Sequence, residues 1–423
     1  MELLEEILTK ENLNKAYQQV YQNKGASGID GITVEELKEY LKEHKEEIIT
    51  KIRNRKYKPQ PVRRVEIPKE NGKKRKLGIP TVVDRVIQQA IAQVLNPIYE
   101  KQFSETSYGF RPNKSCEMAI VKALELMNGG HDWVVDIDLE RFFDTVNQDR
   151  LITIIMRTVK DGDVVSLIRK FLESGVMENG KYQETKVGTP QGGNLSPLLS
   201  NIMLNELDKE LEARGQKFVR YADDCMIFVK SEKAADRVLK SITTFIEKKL
   251  GLKVNAEKSK VSKPTKIKFL GFGFWVGKGG QYKPKPHLKS IQKFRRKLKE
   301  LTKRSWSISL DKRIKKINYL VRGWVNYFKI ANMRGVLEQI DERLRTRIRV
   351  IIWKQWKRIR KRCEALQKLG VKFEIAYNLA NSRKGYQLIC KTDWIKFAIN
   401  NSRLRKRGLV FTLDHYQKVH VEI

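Results

Sequence analysis

The sequence predicts an α+β fold over its first two thirds and an almost wholly helical, strongly basic remainder. Three observations carry that expectation. Short alternating or apolar runs at 63–68, 133–138, 217–222 and 225–230 have the length and period of strands, and stretches of helical period separate them. Beyond Gly277-Lys-Gly-Gly280 and Lys283-Pro-Lys-Pro286 the pattern turns helical, which makes this punctuation the best domain boundary. The charge also changes there. Residues 1–260 hold 44 basic and 39 acidic side chains, whereas residues 261–423 hold 42 and 10.

The elements follow in order. An apolar stripe of Leu3, Leu4, Ile7, Leu8, Leu13, Tyr17 and Tyr21 predicts a helix over 2–24. Gly25-Ala-Ser-Gly-Ile-Asp-Gly31 reads as a loop, and Thr33 with Glu36 as a capping box opening a second helix. Residues 63–68 and 75–80 flank Glu70-Asn-Gly-Lys-Lys, a hairpin turn. Helical period resumes over 82–102. Trp133-Val-Val-Asp-Ile-Asp138 is a short apolar strand ending in acid. Helices are expected over 147–174, 196–213 and 232–249, with a glycine-rich loop at 188–193. Two strands flank Asp223-Asp224, and further strands fall near 252–262 and 267–275. Three apolar stripes, beginning at Ile291, Ile314 and Leu344, then suggest a small helical bundle.

Composition narrows the function. Of 423 residues, 86 are Lys or Arg and 49 are Asp or Glu, a net charge of +37. Residues 261–423 carry +32 of it without counter-charges in the chain, and the phosphates of a nucleic acid can supply them. Trp306, Trp324, Tyr327, Trp353 and Trp356 are interleaved with the charge, which favours nucleic acid over an anionic membrane. Four scattered cysteines exclude a disulfide scaffold and a CxxC zinc module, and point to a reducing, cytoplasmic setting. No apolar run approaches the 18 or so residues of a membrane span, and the acidic N-terminus is no signal peptide.

An otherwise basic chain that places carboxylates at strand ends needs a reason. Asp138 ends one strand, and Asp223 and Asp224 sit at the apex of a hairpin. Oxygen ligands suit hard divalent cations, and two Mg²⁺ ions about 3.5–4 Å apart can serve an in-line displacement at phosphorus. An Asp-Asp pair in a turn is also ordinary turn chemistry. Strand alternation puts Asp136 on the face of Asp138, so periodicity does not choose between them, and it suggests that Asp223 and Asp224 diverge.

Longer motifs surround these acids. Tyr221-Ala-Asp-Asp224, preceded by Phe-Val-Arg and followed by Cys-Met-Ile-Phe-Val, resembles the Tyr-x-Asp-Asp hairpin of reverse transcriptases. Asp136-Ile-Asp-Leu-Glu-Arg-Phe-Phe-Asp144 resembles their first catalytic strand, and Gly188-Thr-Pro-Gln-Gly-Gly-Asn-Leu-Ser-Pro197 their template-and-nucleotide loop. Ser107–Pro112, Leu252–Ser259 and Phe269–Phe272 extend the match over 60–275. Asn12-Leu-Asn, Gly25–Gly31 and Arg322-Gly-Trp-Val-Asn-Tyr-Phe328 are similar to bacterial group II intron-encoded proteins with a maturase thumb, nearest the compact class C-like members. Many relatives end in a His-Asn-His endonuclease with paired cysteines. Nothing comparable is present here, so second-strand cleavage by this chain is not expected.

The resemblance implies a right-hand polymerase: fingers and palm over 1–285, a helical thumb (maturase) over 286–368 and a small basic nucleic-acid-binding (D-like) domain over 369–423. Asp138 and Asp223 would hold two Mg²⁺ ions, for which Mn²⁺ can substitute, with Asp224 supporting and the Leu139 carbonyl completing one shell. Lys69 and Arg75 on the hairpin would meet the triphosphate, Phe143 would act as a steric gate against a 2′-hydroxyl, and Gln191 would contact the incoming nucleotide. Phe142 is expected in the core. Arg63, Arg111, Gly192, Lys258 and Arg322 are expected on nucleic acid. The partners implied are an RNA template, a DNA or RNA primer, dNTPs, structured group II intron RNA and a DNA target. The competing readings are a splicing cofactor with a vestigial polymerase site, and an RNA-dependent RNA polymerase, against which Phe143 speaks.

Overall fold

A computed structural model describes residues 2–68, 72, 74–189 and 192–422. Ten strands lie among the described residues: β1 (Val62–Pro68), β2 (Lys74–Ile79), β3 (Trp133–Ile137), β4 (Val176–Glu178), β5 (Lys181–Gln183), β6 (Lys217–Tyr221), β7 (Asp224–Val229), β8 (Lys260–Ser262), β9 (Phe272–Val276) and β10 (Tyr282–Pro286). The chain forms two compact units, Met1–Lys263 and Pro264–Ile423.

In the first unit two four-stranded sheets form, ordered β2-β1-β4-β5 and β6-β7-β3-β8. Helix Val82–Glu100 runs through the core between them in sequence. Its Val82, Ile87, Ala90, Ile91 and Leu95 are buried, as are its polar Asp84, Arg85 and Gln88, so it is covered on nearly every side. Thr81 caps it, accepting from the Asp84 amide at 3.1 Å. Helix Ser196–Ala213 is likewise buried along most of its length. The second unit holds the β9–β10 hairpin and is otherwise helical, with long helices at Leu288–Leu301, Leu310–Tyr327 and Arg334–Gln355.

Several expectations need adjustment. The first helix breaks at Thr9, which caps Lys10–Asn23. The stretch 147–174 forms two helices, Gln148–Thr158 and Gly162–Leu172, because Asp161 accepts from the Asp163 and Val164 amides and ends the run. The capping box forms, Thr33 N donating to Glu36 Oε2 at 2.9 Å, and the helix begins after it at Leu37. Helix Cys116–Asn128 is not expected from the pattern. The unit boundary falls upstream of the Gly/Pro punctuation. β9 pairs with β10 across it, Phe272 packs on Phe328 at 4.7 Å, and Asn332 N donates to Pro284 O at 2.9 Å, so this segment coheres with the helices that follow. The last fifty residues are also helical: Asp341 accepts from Thr412 N, Thr412 Oγ1 and Leu413 N at 2.8–2.9 Å and so caps Thr412–Val419. All four cysteines are free, with Cys225, Cys363 and Cys390 buried. Among the described residues no helix is long and apolar enough to cross a membrane.

Asp84 provides a check on the first core. It accepts from Tyr57 Oη, Thr81 Oγ1 and the Gln60 amide at 2.7–3.1 Å, yet burial pushes its carboxyl up to about 6. A raised carboxyl pKa stabilises the fold fully below the unfolded value near 4, and that contribution is lost as pH rises through about 6. Urea titrations should show a fall on the order of 3 kcal/mol between pH 4 and 7 from this group. Asp84→Asn should remove that component of the pH dependence.

Candidate active site

The acids come together through strand register. β3 pairs antiparallel with β7, Trp133 to Val229 through Ile137 to Cys225, so Asp138 lies one step past the last pair, level with Asp224. β6 and β7 form a hairpin in which Tyr221 opposes Asp224, leaving Ala222 and Asp223 as a two-residue turn with Ala222 at φ 57°. Asp138 and Asp223 are half-buried and Asp224 is exposed. Leu139 is buried and bridges Val254, while Asn255 N donates to Asp138 O at 2.8 Å and Asp138 N to Ser259 Oγ at 3.0 Å. The segment 253–259 therefore holds the backbone around Asp138 in place.

Lys258 occupies the acid. Its Nζ donates to Asp138 Oδ2 at 2.9 Å and Oδ1 at 3.3 Å, so a side chain expected on nucleic acid here sits on the candidate ligand. Asp136 separates from Asp138 by environment. In register it lies between Met226 and Lys260, and burial raises its carboxyl to about 6, with Lys260 opposing and Asp138 adding. No cluster of three or more His, Cys, Asp or Glu able to hold a metal is found among the described residues. The donors at the sheet edge are nonetheless all oxygen, and an ammonium on Asp138 stands where a cation would, so Asp138, Asp223, Asp224 and the Leu139 carbonyl fit a hard divalent ion.

Gly188 and Thr189 dock beside this edge. Gly188, at φ 91°, lies against the strand-to-helix turn. Thr189 N donates to Phe143 O at 2.6 Å, and a Cβ on Gly188 would meet that oxygen at 2.8 Å. A Cβ on Gly192 (φ 119°) would stand 2.5 Å from Gly78 O on β2, so bare backbone is what lets loop and β2 meet. Phe143 is half-buried at the margin of the core and meets the fully packed Phe142 edge-on at 5.2 Å. Arg75 is exposed on β2, opposite Ile67. Lys69 and Gln191 lie outside the described residues. In the second unit Arg322 is exposed, while half-buried Trp324 stacks on the buried Phe294 at 4.4 Å.

Family comparisons agree with this geometry. Residues 67–274 match the model "Reverse transcriptase (RNA-dependent DNA polymerase)", and residues 291–370 match "Group II intron, maturase-specific domain". Protein YkfC of Escherichia coli is 33% identical over 299 residues, 61% of this chain and 78% of that protein. The chain belongs to the group II intron-encoded reverse transcriptase and maturase family. Within it, the group II intron-encoded protein LtrA of Lactococcus lactis is 35% identical over 334 residues, covering 63% of this chain and 55% of LtrA. The putative COX1/OXI3 intron 2 protein of Saccharomyces cerevisiae is 30% identical over 319 residues, 61% of this chain and 37% of that one. This chain thus spans about half the length of LtrA.

Two arginines expected on nucleic acid make contacts inside the fold. Arg111 is a correction: it is buried, with Nε and Nη2 on Glu100, Nη1 on Ser104 O and Ser107 O, and Phe103 beneath it, so every guanidinium nitrogen is engaged inside the fold. Half-buried Arg63 donates Nε and Nη2 to Ser27 O at 3.1 and 2.7 Å, tying β1 to the glycine-rich 25–31 loop.

Sequence reasoning missed the support beneath the Asp-Asp turn. Arg220 is fully buried and forks onto equally buried Asp208 at 2.7 and 2.6 Å. Its Nη1 also donates to Ala222 O at 2.9 Å, within the turn, and to Asn201 Oδ1 at 3.1 Å. Asn201 donates to Gly109 O at 2.8 Å, and a Cβ on Gly109 would meet Ala222 N at 2.2 Å. The Arg in Phe-Val-Arg-Tyr was the only available signal, because a strand position that should be apolar carries a cation. Arg220→Met should destabilise the first unit by about 3–5 kcal/mol in urea unfolding, since it strands the Asp208 charge. Adding Asp208→Leu should recover most of that loss.

Proposed function

We propose that this chain is an RNA-directed DNA polymerase that adds dNTPs to a primer 3′-end and also binds structured group II intron RNA as a maturase in the cytoplasm. The observation that carries the reading is the register that sets Asp138 at the end of β3, level with the hairpin bearing Asp223 and Asp224. In this reading residues 1–285 act as fingers and palm, 286–368 as the maturase thumb and 369–423 as a basic nucleic-acid-binding domain.

Asp138 and Asp223 would hold two Mg²⁺ ions, with Asp224 and the Leu139 carbonyl in support. Bound there, such ions favour ionisation of the primer hydroxyl and stabilise charge on departing pyrophosphate. The chain's own groups do the rest. Lys258 neutralises Asp138 in the free protein and must release it as the site fills. Lys69 and Arg75 flank the hairpin turn in sequence and balance the triphosphate. Phe143, backed by Phe142, presents a ring that a 2′-hydroxyl would strike. Gln191 contacts the incoming nucleotide, and Gly192 offers backbone without bulk. Exposed Arg322 would contact RNA, template or primer, and so would the part of half-buried Arg63 not held by Ser27. Recognition of the intron through phosphates and 2′-hydroxyls would read shape more than sequence.

Primer extension on an RNA template, with Mg²⁺ and with dNTPs against rNTPs, tests the reading. Extension should require dNTPs and stop on chelation. Asp223→Ala with Asp224→Ala should lower the rate at least ~1000-fold while sparing RNA affinity. Tight RNA binding by the wild type without extension would instead favour a splicing cofactor with a vestigial site. Phe143→Ala should relax dNTP over rNTP discrimination about 10-fold or more, and unchanged discrimination would remove the gate assignment.

A further inference from the structure

The second unit carries an open cavity of about 740 Å³, lined by Arg345, Arg349, Lys391 and Lys396, with amides of Asn400 and Asn401 and the carboxylate of Glu342. Arg349 is 6% exposed. Its Nε donates to Ile399 O at 2.9 Å, and no carboxylate pairs with its guanidinium among the described residues. Of the two nearest acids on its helix, Asp341 is spent on capping Thr412–Val419, and Glu342, two turns away, is the one carboxylate among the cavity's lining residues. Of the other cations, Lys396 pairs with Asp393 at 3.0 Å, and Arg345 lies 5.8 Å from the centre of the Phe411 ring. Burial, and then the charge of Arg345, hold the Arg349 guanidinium below its ordinary value.

A nearly buried guanidinium with its fork open to a cavity is costly until an anion meets it, and its planar geometry suits phosphate oxygens. Beside Lys396, on the short helix Asp393–Ala398, Trp394 and Phe397 are 45% and 52% exposed, with ring centres 6.2 Å apart. The rings share their short helix with Lys396 of the cavity, and exposed rings close in sequence to cationic side chains match how unpaired strands are held.

We propose that this cavity seats a backbone phosphate of a single-stranded stretch of nucleic acid, with the flanking bases stacked on Trp394 and Phe397. The inference rests on the nucleic-acid reading above and adds the site, the strand state and the residues. The test is fluorescence anisotropy on the full chain with a labelled, unstructured 20-nucleotide RNA, the same sequence as DNA, and a 20-base-pair duplex, across a KCl titration. The exposed pair Lys391→Gln with Lys396→Gln, and separately Arg349→Gln, should weaken single-strand binding about 10-fold and flatten the salt slope by about 0.7 for each phosphate no longer neutralised. Trp394→Ala with Phe397→Ala should weaken it at least about fivefold with the slope unchanged. Losses on both RNA and DNA strands, or on RNA alone, support the site and say which strand it takes. Equal losses on the duplex would overturn the single-strand assignment. Unchanged affinity and slope in the lysine pair, with folding intact by circular dichroism, would show the cavity to be solvated surface. A wild-type chain that binds none of the probes would sink the parent reading rather than this cavity alone.

Discussion

The buried ion pair between Arg220 and Asp208 is the constraint on which the candidate catalytic edge depends. It lies on the strand entering the Asp-Asp turn, and the same guanidinium reaches the turn carbonyl of Ala222 and, through Asn201, the backbone at Gly109. Tyr108 N donates to Arg220 O and Arg220 N to Thr106 O, so a separate segment is threaded against the same strand. Such a pair gains little net free energy over a well-packed apolar substitute, because desolvation of both charges offsets their attraction. What it supplies is uniqueness. A one-residue slip of β6 would bury an unpaired cation and move every side chain to the other face.

Electrostatics divides the chain in the same spirit. The first 260 residues are close to neutral, and even there the half-buried acid Asp138 is matched internally by Lys258. The later residues leave most of their cations unmatched, and Arg349 shows this inside the fold as well as on its surface. A chain arranged in this way gathers acids at one sheet edge and leaves a broad demand for anions elsewhere, as the proposed copying of a polyanion would require.

Much of this was legible in the sequence because the informative features are local. Strand length, the Asp-Asp turn and the capping box at Thr33 follow from period, turn chemistry and spacing within a few residues. What was not legible depended on distant partners. Arg111 reads as a cation beside a motif, and only the fold shows that Glu100 and two carbonyls consume it. Lys258 is 120 residues from Asp138 in sequence, and nothing local to either announces the pair. The break at Asp161 was a cap hidden in a helical pattern, and helix Cys116–Asn128 lay in a stretch whose stripe is mixed. The compact units divide at 263 and not at the glycines and prolines of 277–286, because pairing of β9 with β10 holds that punctuation within one unit.

The buried thiols have a practical consequence. Cys225 lies in β7, one residue from Asp224, and burial raises its thiol far above the ordinary value; Cys390, whose thiol burial pushes up to about 12, lies in the other compact unit. Neither is a ready nucleophile while its surroundings stay closed, because only the thiolate reacts. Their alkylation rates therefore report transient opening, one for the catalytic sheet and one for the helical unit. With Cys363 also buried in the second unit, each unit carries its own internal clock, and a single labelling experiment resolved by site can time their local unfolding independently.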